Sequence, residues 1–89
     1  MSGKTTPAYM APEMIAEKPS TTKVDMWALG VIIYELFSNQ LPFKGPTFND
    51  TMNLIREKEP APLPSTVSPF IKEIIAKLLD KNPETRLDA

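Results

Sequence analysis

A chain of 89 residues has room for one domain, and its 42% apolar and 24% charged residues exclude a disordered or fibrous polymer. Ten basic against 11 acidic residues leave a net charge of −1, so neither nucleic acid nor an anionic membrane is implied as a partner. Cysteine and histidine are both absent, which removes a disulfide framework, thiolate metal sites and the commonest neutral-pH general base.

The first 23 residues read as a loop with a short helix. Pro7 and Pro12 bias Thr6 and Ala11 away from helical geometry, and Pro12 then suits the first position of a helix reaching about Ala16. Lys18-Pro19-Ser20 ends that helix. Thr21 or Thr22 is placed to cap the next one, whose first turn carries Asp25 on the positive end of the helix dipole.

The central helix is expected over 24–38. From Val24 to Phe37 only Asp25, Gly30 and Glu35 are neither apolar nor aromatic, so the helix has no polar face and is expected to be buried on all sides. It is too short to cross a bilayer, which takes about 20 residues. Asn39 tolerates the left-handed conformation that closes helices, and Pro42 follows.

A second amphipathic helix is expected over 48–58, where Thr47 and Asp50 resemble a capping box and Phe48, Met52 and Ile55 recur at helical spacing. Pro60, Pro62 and Pro64 forbid regular structure until Ser68-Pro69 opens a third helix over 69–81, with Ile71, Ile74, Ile75 and Leu78 along one face. Lys72, Lys77 and Lys81 read as its solvated side. Together these elements predict an all-α fold around one buried central helix, with no internal repeat.

Three segments resemble one family. Thr6-Pro7-Ala8-Tyr9-Met10-Ala11-Pro12-Glu13 resembles the end of a protein-kinase activation segment, T-P-x-Y-M-A-P-E. Asp25-Met26-Trp27-Ala28-Leu29-Gly30 resembles the D-x-W-x-x-G of kinase helix F, and Leu79 to Arg86 resembles the L-x-x-x-P-x-x-R before helix I. With Pro42-Phe43 between them, the three stand in family order and spacing over nearly the whole chain, with affinities to NIMA-related and calcium/calmodulin-type kinases. The resemblance implies part of the C-terminal lobe of a eukaryotic-type serine/threonine protein kinase, comprising helices EF, F, G and H.

The resemblance also assigns roles. Thr6, Pro7, Ala8, Tyr9, Met10 and Ala11 would form the substrate-binding loop, with the Thr6 hydroxyl facing the catalytic loop. Glu13 and Arg86 would form a structural ion pair, although taken alone they read as two solvated charges. Asp25, Trp27 and Gly30 would be scaffold residues. Asp25 reads equally as a helix N-terminal carboxylate or as an acceptor for the catalytic-loop backbone, while Trp27 would pack the activation segment onto helix F. Thr5 stands where the family usually has glycine, as does Asn39.

Phosphoryl transfer requires a glycine-rich loop, a strand lysine, a catalytic-loop aspartate and a metal-binding D-F-G aspartate. The glycines are Gly3, Gly30 and Gly45, histidine is absent, and no aspartate precedes Phe-Gly, so these motifs are lacking. The expectation is a chain with no catalytic residue, metal site or cofactor of its own, inactive alone, whose parent kinase would use ATP and magnesium on protein substrates. Its partners would be that substrate and the remainder of the kinase, with self-association or domain swapping of the piece itself. An alternative is a non-catalytic kinase remnant acting as an interaction module. An intracellular location, cytoplasmic or nuclear, fits the lack of cysteine and of any signal-like stretch.

Overall fold

The computed structural model describes residues 9–18 and 21–87. Four helices follow one another: α1 (Pro12–Ile15), α2 (Lys23–Ser38), α3 (Phe48–Glu57) and α4 (Pro69–Leu78). No strand occurs among the described residues, so the fold is all-α.

Each helix begins and ends for a local reason. Pro12 opens α1 after the extended Ala11, because a missing N–H costs nothing where the helix has no acceptor for it. The helix closes in a Schellman arrangement: the amide of Lys18 donates to the Glu13 carbonyl (2.9 Å) and that of Glu17 to the Met14 carbonyl (3.1 Å). Glu17 takes the left-handed position at φ 58° that glycine more often fills. At the start of α2 the Thr21 hydroxyl accepts the Lys23 amide at 3.1 Å. At its end Asn39 turns left-handed, φ 63°, and donates its amide to the Glu35 carbonyl at 2.8 Å.

In α3 the Thr47 hydroxyl accepts the Asp50 amide (3.1 Å) and donates to the Asp50 carboxylate (2.9 Å). Ser68 accepts the Ile71 amide at 3.2 Å, with Pro69 first in α4. This last helix stops at Leu78, three residues short of the expected 81. Beyond it the side chains offer the backbone a better partner than a further helical turn: Asp80 accepts the Asn82 amide (3.0 Å) and the Thr85 hydroxyl (2.6 Å), and Asn82 accepts the Glu84 amide (2.9 Å).

The core forms along one flank of α2. Trp27, Val31 and Tyr34, at helical spacing, pack with Ala11, Phe43, Ile55, Ile75 and Leu79. Trp27 and Phe43 stack with centroids 5.8 Å apart and planes 13° from parallel. The Tyr34 hydroxyl donates to the Ala61 carbonyl at 2.6 Å, which ties the proline-rich connection to the central helix. Gly30 is required by closeness: a Cβ there would lie 2.8 Å from Leu78 Cβ and 3.0 Å from Leu79 Cδ2, at the contact of α2 with the end of α4.

The expectation that α2 is buried on all sides is corrected. Its other flank, Leu29, Ile32, Leu36 and Phe37, is exposed, Leu36 at 76%. The packed core gathers on the Trp27 side, and nothing among the described residues buries this second stripe.

Candidate functional site

Arg86 sits in the turn after α4, where its amide donates to the Asn82 carbonyl at 3.0 Å, and that turn aims the guanidinium into the core. Nη1 donates to Glu13 Oε2 at 2.8 Å and Nη2 to Glu13 Oε1 at 2.9 Å, a bidentate pair across 73 residues of sequence. Nη1 also donates to the Lys23 carbonyl (2.9 Å) and Nε to the Asp80 carbonyl (2.7 Å), so both atoms of the carboxylate and two carbonyls are satisfied by one side chain. The pair is dry, with the Arg86 and Glu13 side chains 0% and 5% exposed. The guanidinium carbon also lies 5.1 Å from the Trp27 ring centroid. Lys23 reinforces the turn from α2, donating Nζ to the carbonyls of Pro83 (2.7 Å) and Arg86 (3.1 Å).

Burial alone would raise the Glu13 pKa. The Arg86 hydrogen bonds, a backbone hydrogen bond and the nearby positive charges of Arg86 and Lys23 outweigh it and hold the carboxyl below its ordinary value. Glu13 is therefore a carboxylate in the folded chain at neutral pH, and the pair fixes α1 against α2 and the Asn82–Arg86 turn.

Immediately before α1 lie Tyr9, Met10 and Ala11. The Tyr9 hydroxyl donates to Glu35 Oε1 on α2 at 2.9 Å, and this bond, then burial, raises its pKa. Ala11 is fully buried and Met10 partly so. Thr6, Pro7 and Ala8, the remaining residues of the loop named from sequence, lie outside the described residues. The structure thus brings together Glu13, Arg86 and Trp27, and ties Tyr9 to α2 one turn beyond Val31. Asp25 stands apart, exposed on the first turn of α2. Gly30 serves the α2 and α4 contact.

Residues 1–89 match the protein kinase domain family. The chain belongs to that family. It is 43% identical over 86 residues to serine/threonine-protein kinase TIO of Arabidopsis thaliana, covering 94% of this chain and 6% of that protein. Identity is 42% to the G2-specific protein kinase nimA of Emericella nidulans (93% of this chain, 12% of that protein) and 40% to Aurora kinase C of Mus musculus (89% and 28%). The chain therefore spans less than a third of the length of these kinases.

For a kinase, ATP and magnesium are the implied groups, and the residues present do not fit them. No cluster of three carboxylate, histidine or cysteine side chains that could hold a metal occurs among the described residues, and the phosphate-binding and metal-binding motifs are not in the sequence. No helix among the described residues is long and apolar enough to cross a membrane.

The sequence reading missed Lys81. It is not on the solvated face of α4, which has already ended, but folds inward. Nζ donates to the Ile55 carbonyl in the last turn of α3 (2.6 Å) and lies 4.5 Å from the Phe43 centroid and 5.7 Å from that of Trp27. Lys77 does face solvent, paired with Glu73 at 3.5 Å. Helical periodicity placed the three lysines together. The signal against it was the Asp80–Asn82 cluster, whose side chains compete for the backbone and end the periodicity before Lys81. Trp27 Nε1 is buried with no hydrogen-bond partner among the described residues.

Proposed function

We propose that this chain is the substrate-side scaffold of a serine/threonine protein kinase whose complete form transfers the γ-phosphate of ATP to serine or threonine of a protein substrate. In that reading Thr6 to Ala11 read the substrate beside the phosphoacceptor, α2 is the post on which the active site assembles, and Asp25 receives the catalytic-loop backbone. The chemistry of transfer comes from outside these residues. The observation carrying the reading is the dry bidentate Glu13–Arg86 pair, which ties α1, directly after Tyr9-Met10-Ala11, to the turn beyond α4.

The test is a chimera in which residues 1–89 replace the matching segment of the nimA kinase. A folded chimera is expected to phosphorylate a serine peptide with magnesium-ATP, and the 89-residue chain alone is expected to incorporate no phosphate. A folded chimera without activity would overturn the proposal.

A second reading, a non-catalytic interaction module, is favoured by one observation, the exposed apolar flank of Leu29, Ile32, Leu36 and Phe37. It expects the same flank to bind a partner without any phosphotransfer in the chimera.

A further inference from the structure

We propose that Lys81 is a positioning residue, a half-buried tether that holds α3 in register with the anchor beneath the substrate-side loop. The geometry is a closed circuit. Starting from α1, Glu13 holds Arg86, Arg86 lies on Trp27, Trp27 stacks on Phe43, and Lys81 covers both rings while donating to Ile55 of α3. Direct packing of α1 on α3 completes the circuit. Lys81 supplies a polar link in it between α3 and the aromatic pair.

The chemistry suits an ammonium group. The Ile55 carbonyl is among the last four of α3, which have no partner within the helix, and the C-terminal end of a helix favours a cation. The faces of Phe43 and Trp27 favour one as well. A methionine would keep the stem's apolar packing and lose both interactions. An arginine would keep the charge and a donor.

Other charged groups stand nearby. Glu59, beyond α3, draws the ammonium toward its charged form, Arg86 shares the Trp27 face, and Glu13, Lys18, Arg56 and Glu84 line the same cleft of about 400 Å³ as Lys81. Against these, burial is the larger effect and lowers the Lys81 pKa below the ordinary lysine value. Tyr9 and Tyr34 are shifted the opposite way, upward.

This deepens the proposed function, since what α3 supports is the loop that the proposal assigns to the substrate; the packing tests below do not depend on that assignment. Trp27 is the chain's sole tryptophan, so its emission reports on the circuit. In the 89-residue chain, emission is expected to show an alkaline transition below the ordinary lysine range, absent in Lys81→Met. Amide exchange over residues 55–59 is expected to quicken roughly tenfold or more in Lys81→Met, with Ile75 in α4 unaffected, and Lys81→Arg is expected to restore protection. In the nimA chimera Lys81→Met is expected to raise KM for the peptide with kcat little changed. If Lys81→Met fails to fold, the wild-type transition and the Lys81→Arg exchange pattern decide. No wild-type transition, equal exchange in Lys81→Met and wild type, or failure of Lys81→Arg to protect would overturn the tether, whether or not the chimera is active. Quickened exchange in Lys81→Met with KM unchanged in the chimera would overturn its link to the loop.

Discussion

Replacing Arg86 by methionine tests the anchor most directly. The substitution keeps much of the stem and deletes four hydrogen bonds, leaving the Glu13 carboxylate, 5% exposed, without its cation and the Lys23 and Asp80 carbonyls without their donor. Breaking a buried ion pair from one side costs on the order of 3 to 5 kcal/mol. A chain of 89 residues has about 4 to 13 kcal/mol in total at roughly 0.05 to 0.15 kcal/mol per residue, so the loss removes a large part of it. Glu13→Gln is expected to cost less, because Arg86 keeps both carbonyls and the Trp27 face. Urea unfolding followed by Trp27 emission measures both, and the double variant closes the cycle with a coupling of about 1 to 3 kcal/mol. The pH dependence has a definite sign. Glu13 has a lowered folded pKa, so its contribution is present above the unfolded value of 4.5 and is lost as pH falls through the folded one. Glu13→Gln is expected to flatten the acid limb of the stability curve. A coupling under about 0.5 kcal/mol, or an acid limb unchanged in Glu13→Gln, would mean that the two side chains do not stabilise the fold as a pair.

Gly30→Ala is expected to destabilise although alanine is the better helix former, because its Cβ meets Leu78 Cβ at 2.8 Å; overpacking of about 1 to 3 kcal/mol exceeds a propensity gain of about 1, read as a lower thermal midpoint. Glu17→Gly relieves a left-handed residue at φ 58° and is expected to stabilise by up to about 1 kcal/mol in urea unfolding, with no gain meaning that the turn is not strained. The exposed flank of α2 is expected to drive concentration-dependent self-association in sedimentation, reduced by Leu36→Lys; a monodisperse monomer at high concentration would contradict this.

Much of the backbone was legible because it is written in local chemistry. Pro12 and Pro69 open helices where an N–H would have no partner, and Thr47, Ser68 and Asn39 make cap bonds within a few residues of themselves. The end of α4 was misplaced because the competing Asp80 and Asn82 bonds are not part of a hydrophobic period. The contact of Glu13 with Arg86 was legible only through the family signature, since a separation of 73 positions carries no spacing rule. Lys81 was misread for a related reason: whether a lysine faces water or an aromatic pair depends on Trp27, Phe43 and Ile55, three positions on three different segments.

The two flanks of α2 divide the work of the chain. Trp27, Val31 and Tyr34 are dry, and the polar links made by Arg86, Lys23, Lys81 and Tyr34 lie on or beside that flank. Leu29, Ile32, Leu36 and Phe37 forgo part of the roughly 1.5 to 3 kcal/mol that full burial of each would contribute. A polar substitution would remove that exposure at little cost to the packed side, so solubility alone does not account for an apolar stripe there. The buried polar contacts gather at the anchor, while the other flank of α2 is left apolar and open. The kinase reading and the interaction-module reading agree on this division; they differ in whether the surface that closes the flank brings a catalytic loop to Asp25.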